Sequence, residues 1–414
     1  MTLFNPVWRV KIQGVEFTTY VLANLSITSG RTNIYQQAQA GYCNIELINL
    51  DQQIINININ DSVSIELQDS TATFVPIFGG TVVDYGIEIN TAGNVAINQV
   101  ISITALGALS RLPKALTQGV LNQDFDGDQI WTVLQDLLLN NWGEVPAALT
   151  WGNYNPTETW ANAQNVGLGE IDRPGNYELA DRGSSTTDVY SLVSALATSG
   201  LGYIYEDANG LISYADSTHR SIYLAANGYT EVTANQALYN GLRIETRAGD
   251  VRNDISLKYN SNSSSEVTAE DVTSIGLYGR LAQSISTTVK HQADAQDQAD
   301  FYLTLRATPQ ANLQSITFQL TNPELDNADR DALINVFMGL PLSISDLPLN
   351  MGAIFQGFVE GWSFKAAYNE IAITLNLSPV SYSLQAMKWE QVPPAESWNT
   401  ITGSLTWENA LVVA

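Results

Sequence analysis

Residues that build metal centres and disulfide frameworks are scarce in this sequence. Its 414 residues include one cysteine, Cys43, and two histidines, His219 and His291. A single cysteine can form neither an internal disulfide nor a cysteine-based metal site, and we expect Cys43 to lie buried in a strand as a small apolar residue. The two histidines lie in different predicted domains without a neighbouring ligand at metal spacing, so we expect both to be surface or hydrogen-bonded residues. The sequence therefore predicts no metal site and no cofactor.

Positive charge is also scarce. The chain has 18 Lys and Arg residues against 42 Asp and Glu residues, which gives a formal net charge of -24. Binding to nucleic acid phosphates needs a cationic track that such a chain lacks, although the chain could border a path along which DNA slides without adhering. Only 14% of the residues are charged, whereas Asn, Gln, Ser and Thr are abundant. This neutral polar surface is typical of β-rich assembly proteins.

Long apolar runs and a leader-like start are missing as well. No apolar run reaches the ~18 residues that a membrane span needs, and no charged segment followed by an apolar one opens the chain. We therefore expect a protein that is made in the cytoplasm and stays soluble, or leaves it only as part of a larger particle. Because 45% of the residues are hydrophobic, a chain of this length can form two to four domains with real cores.

Familiar catalytic motifs do not appear. We find no Gly-x-Ser-x-Gly elbow, phosphate loop or dinucleotide fingerprint between a predicted strand and a helix. Carboxylate pairs suited to glycoside cleavage can always be found among 42 acidic residues, and without geometry such a choice is arbitrary. We therefore predict that the chain is not an enzyme and has no catalytic residues.

The chain does contain one pattern that is written twice. Each copy reads as a short strand, a loop, an apolar strand with glycine beside its start, a polar hairpin and a closing strand. The alternation of apolar and polar residues indicates one buried and one solvent-facing side in each strand. The two copies predict internal pseudo-symmetry. The matching segments are residues 62–65, 77–84 and 99–106 in the first copy and residues 341–344, 354–361 and 370–377 in the second.

The rest of the chain separates into regions of different character, and we predict a mainly β protein with an α/β insertion between two β-barrels. Roughly six strands by Leu112 are enough to close a small barrel or a sandwich. Residues 150–183 are rich in Trp, Asn, Gly and Pro without clear periodicity, and we interpret them as a long ordered loop. The predicted helices cover residues 130–139, with Asp128 as the cap, 187–199 and 293–307. A strand pair is predicted over residues 203–206 and 211–214.

Four segments follow from this division. We predict a first barrel over residues 1–112, the insertion over residues 113–239, a second barrel with one helix over residues 240–386, and an extended tail over residues 387–414. The tail contains Trp389, Trp398 and Trp407 among polar residues and has no core of its own. Because exposed tryptophans are costly, we expect the tail to pack on a neighbouring molecule.

Two groups of aspartates lie close together in the sequence. Residues 124–128 begin like a calcium loop, but Gln129 and Gln135 stand where the turn glycine and the bidentate glutamate belong. We therefore favour a helix cap with a surface turn. Asp326, Asp329 and Asp331 are interpreted as the solvated start of a short helix.

Three tryptophans of the insertion leave two interpretations open. Trp142, Trp151 and Trp160 could form a platform on which sugars stack, as in carbohydrate-binding modules. Packing in a core or an interface is the more common use of such residues.

The order of these parts resembles one known family. The segments Gly30-Arg31 and 40–51, the Phe78-Gly79-Gly80 strand and residues 104–112 resemble the amino-terminal barrel of tailed-phage minor tail proteins of the baseplate hub family. Residues 202–207, 210–214 and 216–220 look like that family's middle region. Residues 274–280, the helix after Ala293 and residues 375–379 are similar to its second barrel.

The resemblance implies a structural role in the virion. It implies barrels like those of the tail tube and a homotrimer with two barrels per chain, which would join the sixfold tail tube to the threefold tail tip. It also implies contacts with a tail-tube or distal tail protein ring, with the tape-measure protein, and with tip fibres or spikes through the carboxy-terminal tail. DNA would pass through the lumen without specific binding. A carbohydrate-binding tail adhesin is the alternative, and a glycan hydrolase is a third possibility.

Overall fold

The computed structural model describes residues 4, 6–17, 20–50, 54–92, 95–140, 168–234, 244–246, 250–309, 311–313, 315–349, 353–367 and 370–380. The predicted mainly β character is confirmed. The strands of the first third are β1 (Trp8–Ile12), β2 (Val15–Glu16), β3 (Tyr20–Gly30), β4 (Gln39–Asn49), β5 (Ser62–Gln68), β6 (Phe74–Ala92) and β7 (Val95–Leu106).

The middle third contains short strands and three of the helices. Its strands are β8 (Leu116–Thr117), β9 (Asp124–Phe125), β10 (Leu168–Ile171), β11 (Glu178–Leu179), β12 (Thr187–Asp188), β13 (Tyr203–Glu206), β14 (Ile212–Ala215) and β15 (Thr230–Thr233). Its helices are α1 (Asp126–Asn140), α2 (Val189–Ser199) and α3 (His219–Asn227), and a 3-10 helix (Ala108–Lys114) precedes them.

The last third is again rich in strands. They are β16 (Ile244–Thr246), β17 (Asp254–Tyr259), β18 (Ser265–Glu270), β19 (Ala282–Ser286), β20 (Ala311–Leu313), β21 (Ser315–Gln319), β22 (Pro341–Ser345), β23 (Phe355–Ala367) and β24 (Glu370–Pro379). The helices are α4 (Val272–Tyr278), α5 (Gln292–Arg306) and α6 (Asn327–Ile334). Among the described residues, no helix has the length and apolar character needed to cross a membrane.

The duplicated pattern is present in the structure down to the register of its strands. Strands β4 to β7 repeat as β21 to β24, with antiparallel pairing between the corresponding strands. In each copy, a register shift interrupts the pairing of the middle strand with the closing strand. The two shifts lie at equivalent places, around Val83 in β6 and Glu360 in β23. The matching pairs are Ile65 with Phe78 and Ile344 with Phe355, Val63 with Gly80 and Leu342 with Gly357, and Ile45 with Ile103 and Ile316 with Leu375.

The glycine shared by the two copies has the same physical cause in both. A Cβ atom on Gly80 would lie 2.5 Å from the carbonyl oxygen of Leu106. A Cβ atom on Gly357 would overlap the carbonyl oxygen of Ser378, which occupies the equivalent place in β24. The closing strand therefore approaches the middle strand so closely that only glycine fits there.

Both copies belong to one twelve-stranded sheet, whereas the sequence predicted two barrels. Strand β23 is shared: β22 pairs with its first residues, and β3 pairs with the same edge from Gly361 to Ala367. The order along the sheet is β15-β22-β23-β3-β4-β7-β6-β5-β1-β2, with β24 on the other edge of β23 and β21 beyond it. Within the described residues this sheet does not close into a barrel, because the pairing ends at β21 and along the second half of β6.

The predicted helices are present with shifted boundaries. Helix α1 begins at Asp126, and α2 begins after Asp188, whose side chain accepts a hydrogen bond from the Ser191 amide at 2.8 Å. Helix α5 covers Gln292–Arg306. The sequence does not predict helices α3 and α4, since both are short and the buried residues of α3 are His219 and Arg220.

Part of the predicted long loop contains strands. Strand β10 pairs in parallel with β14, and β11 pairs with β9. These strands are only four and two residues long, so their sequence is too short to show a period, and distant partners determine them. Residues 150–167 of this segment, Trp142, Trp151 and Trp160, and the predicted tail with its three tryptophans lie outside the described residues.

Candidate functional site

One side of the large sheet is accessible along seven adjacent strands, from β21 through β24, β23, β3, β4 and β7 to β6. The other side is buried except along the second half of β6, where Tyr85, Ile87 and Ile89 are exposed. None of the residues on the accessible side is buried. We call this side the polar face; it carries mostly hydroxyl and amide groups, four carboxylates and one lysine. It consists of Asn24, Ser26, Thr28, Tyr42, Asn44, Glu46, Ile48, Asp84, Gly86, Glu88, Val100, Ser102, Thr104, Ser315, Thr317, Gln319, Ser363, Lys365, Ala367, Glu370, Ala372, Thr374 and Asn376.

A buried ionic cluster holds three distant segments of the chain together. Glu360, at the irregularity of β23, is completely buried. It accepts a hydrogen bond at 2.7 Å from Nε of Arg31, which follows β3, and bonds at 2.8 and 2.9 Å from both terminal nitrogens of Arg220 in α3. The hydroxyl of Ser378 donates to the same carboxylate. We call Arg31, Arg220, Glu360 and Ser378 the ionic junction.

The electrostatics of the ionic junction favour the charged form of its carboxyl. Burial alone would raise the pKa of Glu360, but the guanidinium groups of Arg220 and Arg31 outweigh it and hold the pKa well below its usual value. Both guanidinium groups also lie over the ring of Tyr203, with their carbons 4.7 Å (Arg220) and 5.1 Å (Arg31) from its centroid. A β-bulge re-aims a side chain, and here the irregularity places a charged residue among its partners.

A second buried carboxylate ties the middle region to the first copy. Glu206, at the end of β13, accepts a hydrogen bond from the Gly41 amide at 2.9 Å and another from the Leu109 amide. Burial raises the pKa of Glu206 to about 7, although the two amide donors act in the opposite direction. A Cβ atom on Gly107 would overlap this carboxylate, so any larger residue there would displace the Glu206 side chain.

The turn beyond Glu206 rests on the first copy as well. Gly79 in β6 faces the backbone of Asn209 and Gly210, in the turn between β13 and β14, and a Cβ atom there would lie 2.5 Å from the Gly210 nitrogen. Gly79 therefore has no counterpart role in the second copy, where Gln356 occupies the equivalent place. In the Phe78-Gly79-Gly80 motif, Gly80 therefore allows close packing of the strands, and Gly79 allows the β13–β14 turn to pack on β6.

The structure separates the aspartates that suggested a calcium loop. Asp126 is completely buried, accepts bonds from the Tyr177 amide at 2.9 Å and from the Tyr214 hydroxyl, and its pKa is raised to about 7 by burial. Asp128 forms an ion pair with Arg173. A helix begins in this segment as predicted, but it starts at Asp126 and includes Asp128, which was the predicted cap. The expected surface turn is wrong at Asp126, because that side chain points into the interior.

The second aspartate group begins a helix, as predicted. Asp326 caps α6 by accepting a bond from the Asp329 amide at 2.8 Å, and Asp331 accepts one at 2.9 Å from the Ser70 amide. Asp329 was expected to be solvated, but only 7% of it is exposed and it accepts a bond from the Thr233 amide at 3.3 Å. Its burial results from the contact between α6 and β15, which the local sequence does not indicate.

The cysteine and the histidines take the places expected of them. Cys43 lies buried in β4, and burial raises the pKa of its thiol. His219 is buried with Nδ1 2.8 Å from the Asp172 carboxylate, and Nε2 of His291 lies 2.6 Å from the Glu178 carboxylate at the surface. In the described part of the chain, no group of three or more His, Cys, Asp or Glu side chains is arranged to hold a metal ion.

Sequence reasoning missed the ionic junction and Glu206. A signal existed for Glu360, because a charged residue after Phe358 and Val359 breaks an apolar strand pattern. The partners could not be found in this way, since Arg31 and Arg220 lie 329 and 140 residues from Glu360 along the chain.

Comparison with solved structures identifies similar folds. The tail protein from Neisseria meningitidis MC58 matches with a TM-score of 0.57 and 11% sequence identity, covering 92% of this chain and 98% of that one. The 43 kDa tail protein of prophage MuSo2 from Shewanella oneidensis matches with a TM-score of 0.52 and 10% identity, covering 91% and 99%. No family model and no curated protein sequence matches the chain. The resemblance to phage tail proteins that the sequence motifs indicated is confirmed at the level of the fold.

Proposed function

We propose that the chain is a structural protein of a phage tail, in which three copies form a pseudo-sixfold ring between the sixfold tail tube and the threefold tail tip. The observation that carries this proposal is the repetition of β4–β7 as β21–β24 in the same register. Closed rings of identical chains present one symmetry, but three chains with two equivalent modules each can face a sixfold partner on one side and a threefold partner on the other.

The two modules differ in the length of one hairpin. The hairpin of β6 and β7 extends to Ala92 and Val95, whereas that of β23 and β24 turns between Ala367 and Glu370. Three long and three short hairpins would therefore alternate around the ring. This alternation reduces the sixfold arrangement of the sheets to threefold symmetry.

We assign the polar face to the wall of the channel in this ring. Hydroxyl and amide groups offer no apolar anchor to a protein partner, and Glu46, Asp84, Glu88 and Glu370 outnumber Lys365. Repulsion between these carboxylates and duplex phosphates acts within a Debye length of ~8 Å at physiological salt. DNA can therefore pass along such a wall without adhering to it.

The remaining parts of the proposal follow from this placement. The chain is a virion component of the tail tip without enzymatic activity, synthesised in the host cytoplasm. Its partners are a tail-tube or distal tail protein ring, the tape-measure protein, and tip fibres or spikes bound through residues 387–414. The division into segments 1–112, 113–239, 240–386 and 387–414, with two tube-like barrels completed in the ring, belongs to the same proposal.

The mass of the purified protein in solution tests the proposal. We expect light scattering coupled to size exclusion to give three times the chain mass of 45.1 kDa. A dimer or a hexamer would contradict the argument from two modules and three chains. Binding of oligosaccharides by a stable monomer would favour the adhesin instead, and release of reducing ends would favour a hydrolase.

A further inference from the structure

A cavity of about 190 Å³ lies between the loop that follows β10 and the start of α3. This volume is several times that of one water molecule, ~30 Å³. We call it the β10–α3 cavity. The proposed ring gives it no role. The lining side chains that matter here are Asp172, Arg173, Asn176, Asp216, Thr218 and His219.

Hydrogen bonds hold the two walls of the cavity in place. Oδ2 of Asp172 accepts a bond from the Asp216 amide at 3.0 Å and lies 2.8 Å from Nδ1 of His219. Between the same two walls, Nδ2 of Asn176 donates to the Ser217 hydroxyl at 2.7 Å. The cavity is therefore a fixed feature of the folded chain, and a ligand would bind without first having to order its walls.

Side-chain donors on these walls are directed to acceptors of the protein itself. The Thr218 hydroxyl donates to Oδ1 of Asp216 at 2.7 Å. Nε of Arg173 donates to the Asp128 carboxylate at 2.5 Å, and the guanidinium carbon lies 4.0 Å from the centroid of the Trp131 ring. The positive charge of Arg173 is therefore directed to Asp128 and Trp131.

One acceptor on the walls, in contrast, has no donor. Asp172 is 4% exposed, and within the described part of the chain its Oδ1 has no hydrogen-bond partner. A buried carboxylate oxygen without a donor is costly. Burial and the neighbouring charge of Asp172 also raise the pKa of Asp216. The cavity therefore offers negative charge and an acceptor, which a positively charged donor would satisfy.

We propose that the β10–α3 cavity binds the ammonium or guanidinium group of a lysine or arginine side chain on a partner protein. Such a group carries donors only, and it bonds to Oδ1 of Asp172 with its charge beside Asp216. In the described part of the chain, His, Cys, Asp and Glu side chains form no group of three or more suited to a metal ion. The net charge of -24 attracts basic partners. The proposal does not depend on the number of chains in the ring.

Binding of an arginine mimic to the full chain tests the proposal. The probe is Nα-acetyl-arginine amide, and Nα-acetyl-citrulline amide is a control of the same shape without the charge. The readout is the methyl NMR signal of Ile222, which lines the cavity and is 42% exposed. We expect a saturable shift with the arginine probe and at least about tenfold weaker binding of the citrulline probe. No saturable shift with the arginine probe, or equal affinity for both probes, would overturn the proposal.

Two variants assign the binding to the carboxylates. Asp172→Asn replaces a carboxylate oxygen by an amide nitrogen and should weaken binding of the arginine probe about tenfold or more. Asp216→Asn removes the second charge and keeps an acceptor for the Thr218 and His219 amides, so it gives the answer if Asp172→Asn does not fold. Asp188→Asn makes the same change at the cap of α2 and should bind like the wild type. Wild-type affinity in a folded carboxylate variant of the cavity would overturn the proposal.

A free polyamine is another source of the same cationic groups. Spermidine, titrated in the same way, separates the two sources. We expect the arginine probe to bind at least as tightly as spermidine. A saturable shift with spermidine and none with the arginine probe would assign the cavity to a free polyamine and overturn the partner side chain.

Discussion

At the scale of single residues, the buried carboxyls of this protein fall into two classes. Glu360 has cationic partners that keep it ionised. Within the described part of the chain, Glu206 has only backbone amides as donors, and burial raises its pKa to about 7. Opposite charge stabilises a buried carboxylate far better than neutral donors do. The same residue type therefore acts as a permanent ion in one place and as a pH-dependent contact in the other.

The pKa of Glu206 leads to a prediction for Glu206→Gln. Its pKa rises from 4.5 to about 7 on folding, so the folded protein keeps a proton that the unfolded chain loses, and stability falls as the pH rises between these values. The variant lacks this group, so its free energy of unfolding relative to wild type should rise by about 3 kcal/mol from pH 4.5 to pH 8. Urea denaturation at both pH values measures this, with the exposed Glu231→Gln as control. A difference that stays constant with pH would contradict the prediction.

At the scale of elements, glycines decide how the strands approach one another. Gly79 and Gly86 belong to the same strand, yet the first faces the backbone of the β13–β14 turn and the second faces open space. An added methyl group in a packed contact forces the backbone apart. The sequence alone does not distinguish these two glycines.

We predict different effects for alanine at the two positions. Gly79→Ala should destabilise the protein by about 1–3 kcal/mol. It should also speed amide exchange at Leu211, which directly follows Gly210 in the β13–β14 turn. Gly86→Ala should leave both quantities unchanged. Denaturant unfolding and hydrogen exchange measured on both variants provide the check, and equal behaviour of the two would show that the turn is not seated on β6.

At the scale of the whole molecule, the ionic junction joins the sheet of the first copy, the middle region and the second copy. Removing one partner of a buried ion pair leaves the other charge without compensation, which is more costly than the pair itself is stabilising. The three segments therefore depend on one carboxylate.

This dependence predicts the effect of Glu360→Gln. With Arg31 and Arg220 still buried and charged, the variant should lose about 3–5 kcal/mol of unfolding free energy in chemical denaturation. Glu270→Gln, which removes a partner of the exposed Arg280, should change little, because surface ion pairs contribute weakly. A loss for Glu360→Gln no larger than that of the control would mean that the junction does not hold the segments together.

The sequence by itself determined the properties that depend on neighbouring residues. The period-two alternation around Cys43 and the repeated Phe-Gly segments were enough to predict the mainly β class, the duplication and the buried thiol. The spacing of Leu192 and Leu196 likewise predicted α2. These features could be predicted because strand and helix periods are properties of a few consecutive side chains.

Only the tertiary structure decided which edges meet. Backbone amides and carbonyls are the same in all residues except proline. The pairing of β23 with β3, which joins the expected barrels in one sheet, therefore could not be predicted from the sequence. The parallel pairing of β10 and the meeting of Arg31, Arg220 and Glu360 depend in the same way on contacts between segments far apart along the chain. Tyr85, Ile87 and Ile89 are exposed, whereas the matching residues Trp362, Phe364 and Ala366 are buried. This difference also depends on tertiary structure, because β3 pairs with the edge of β23.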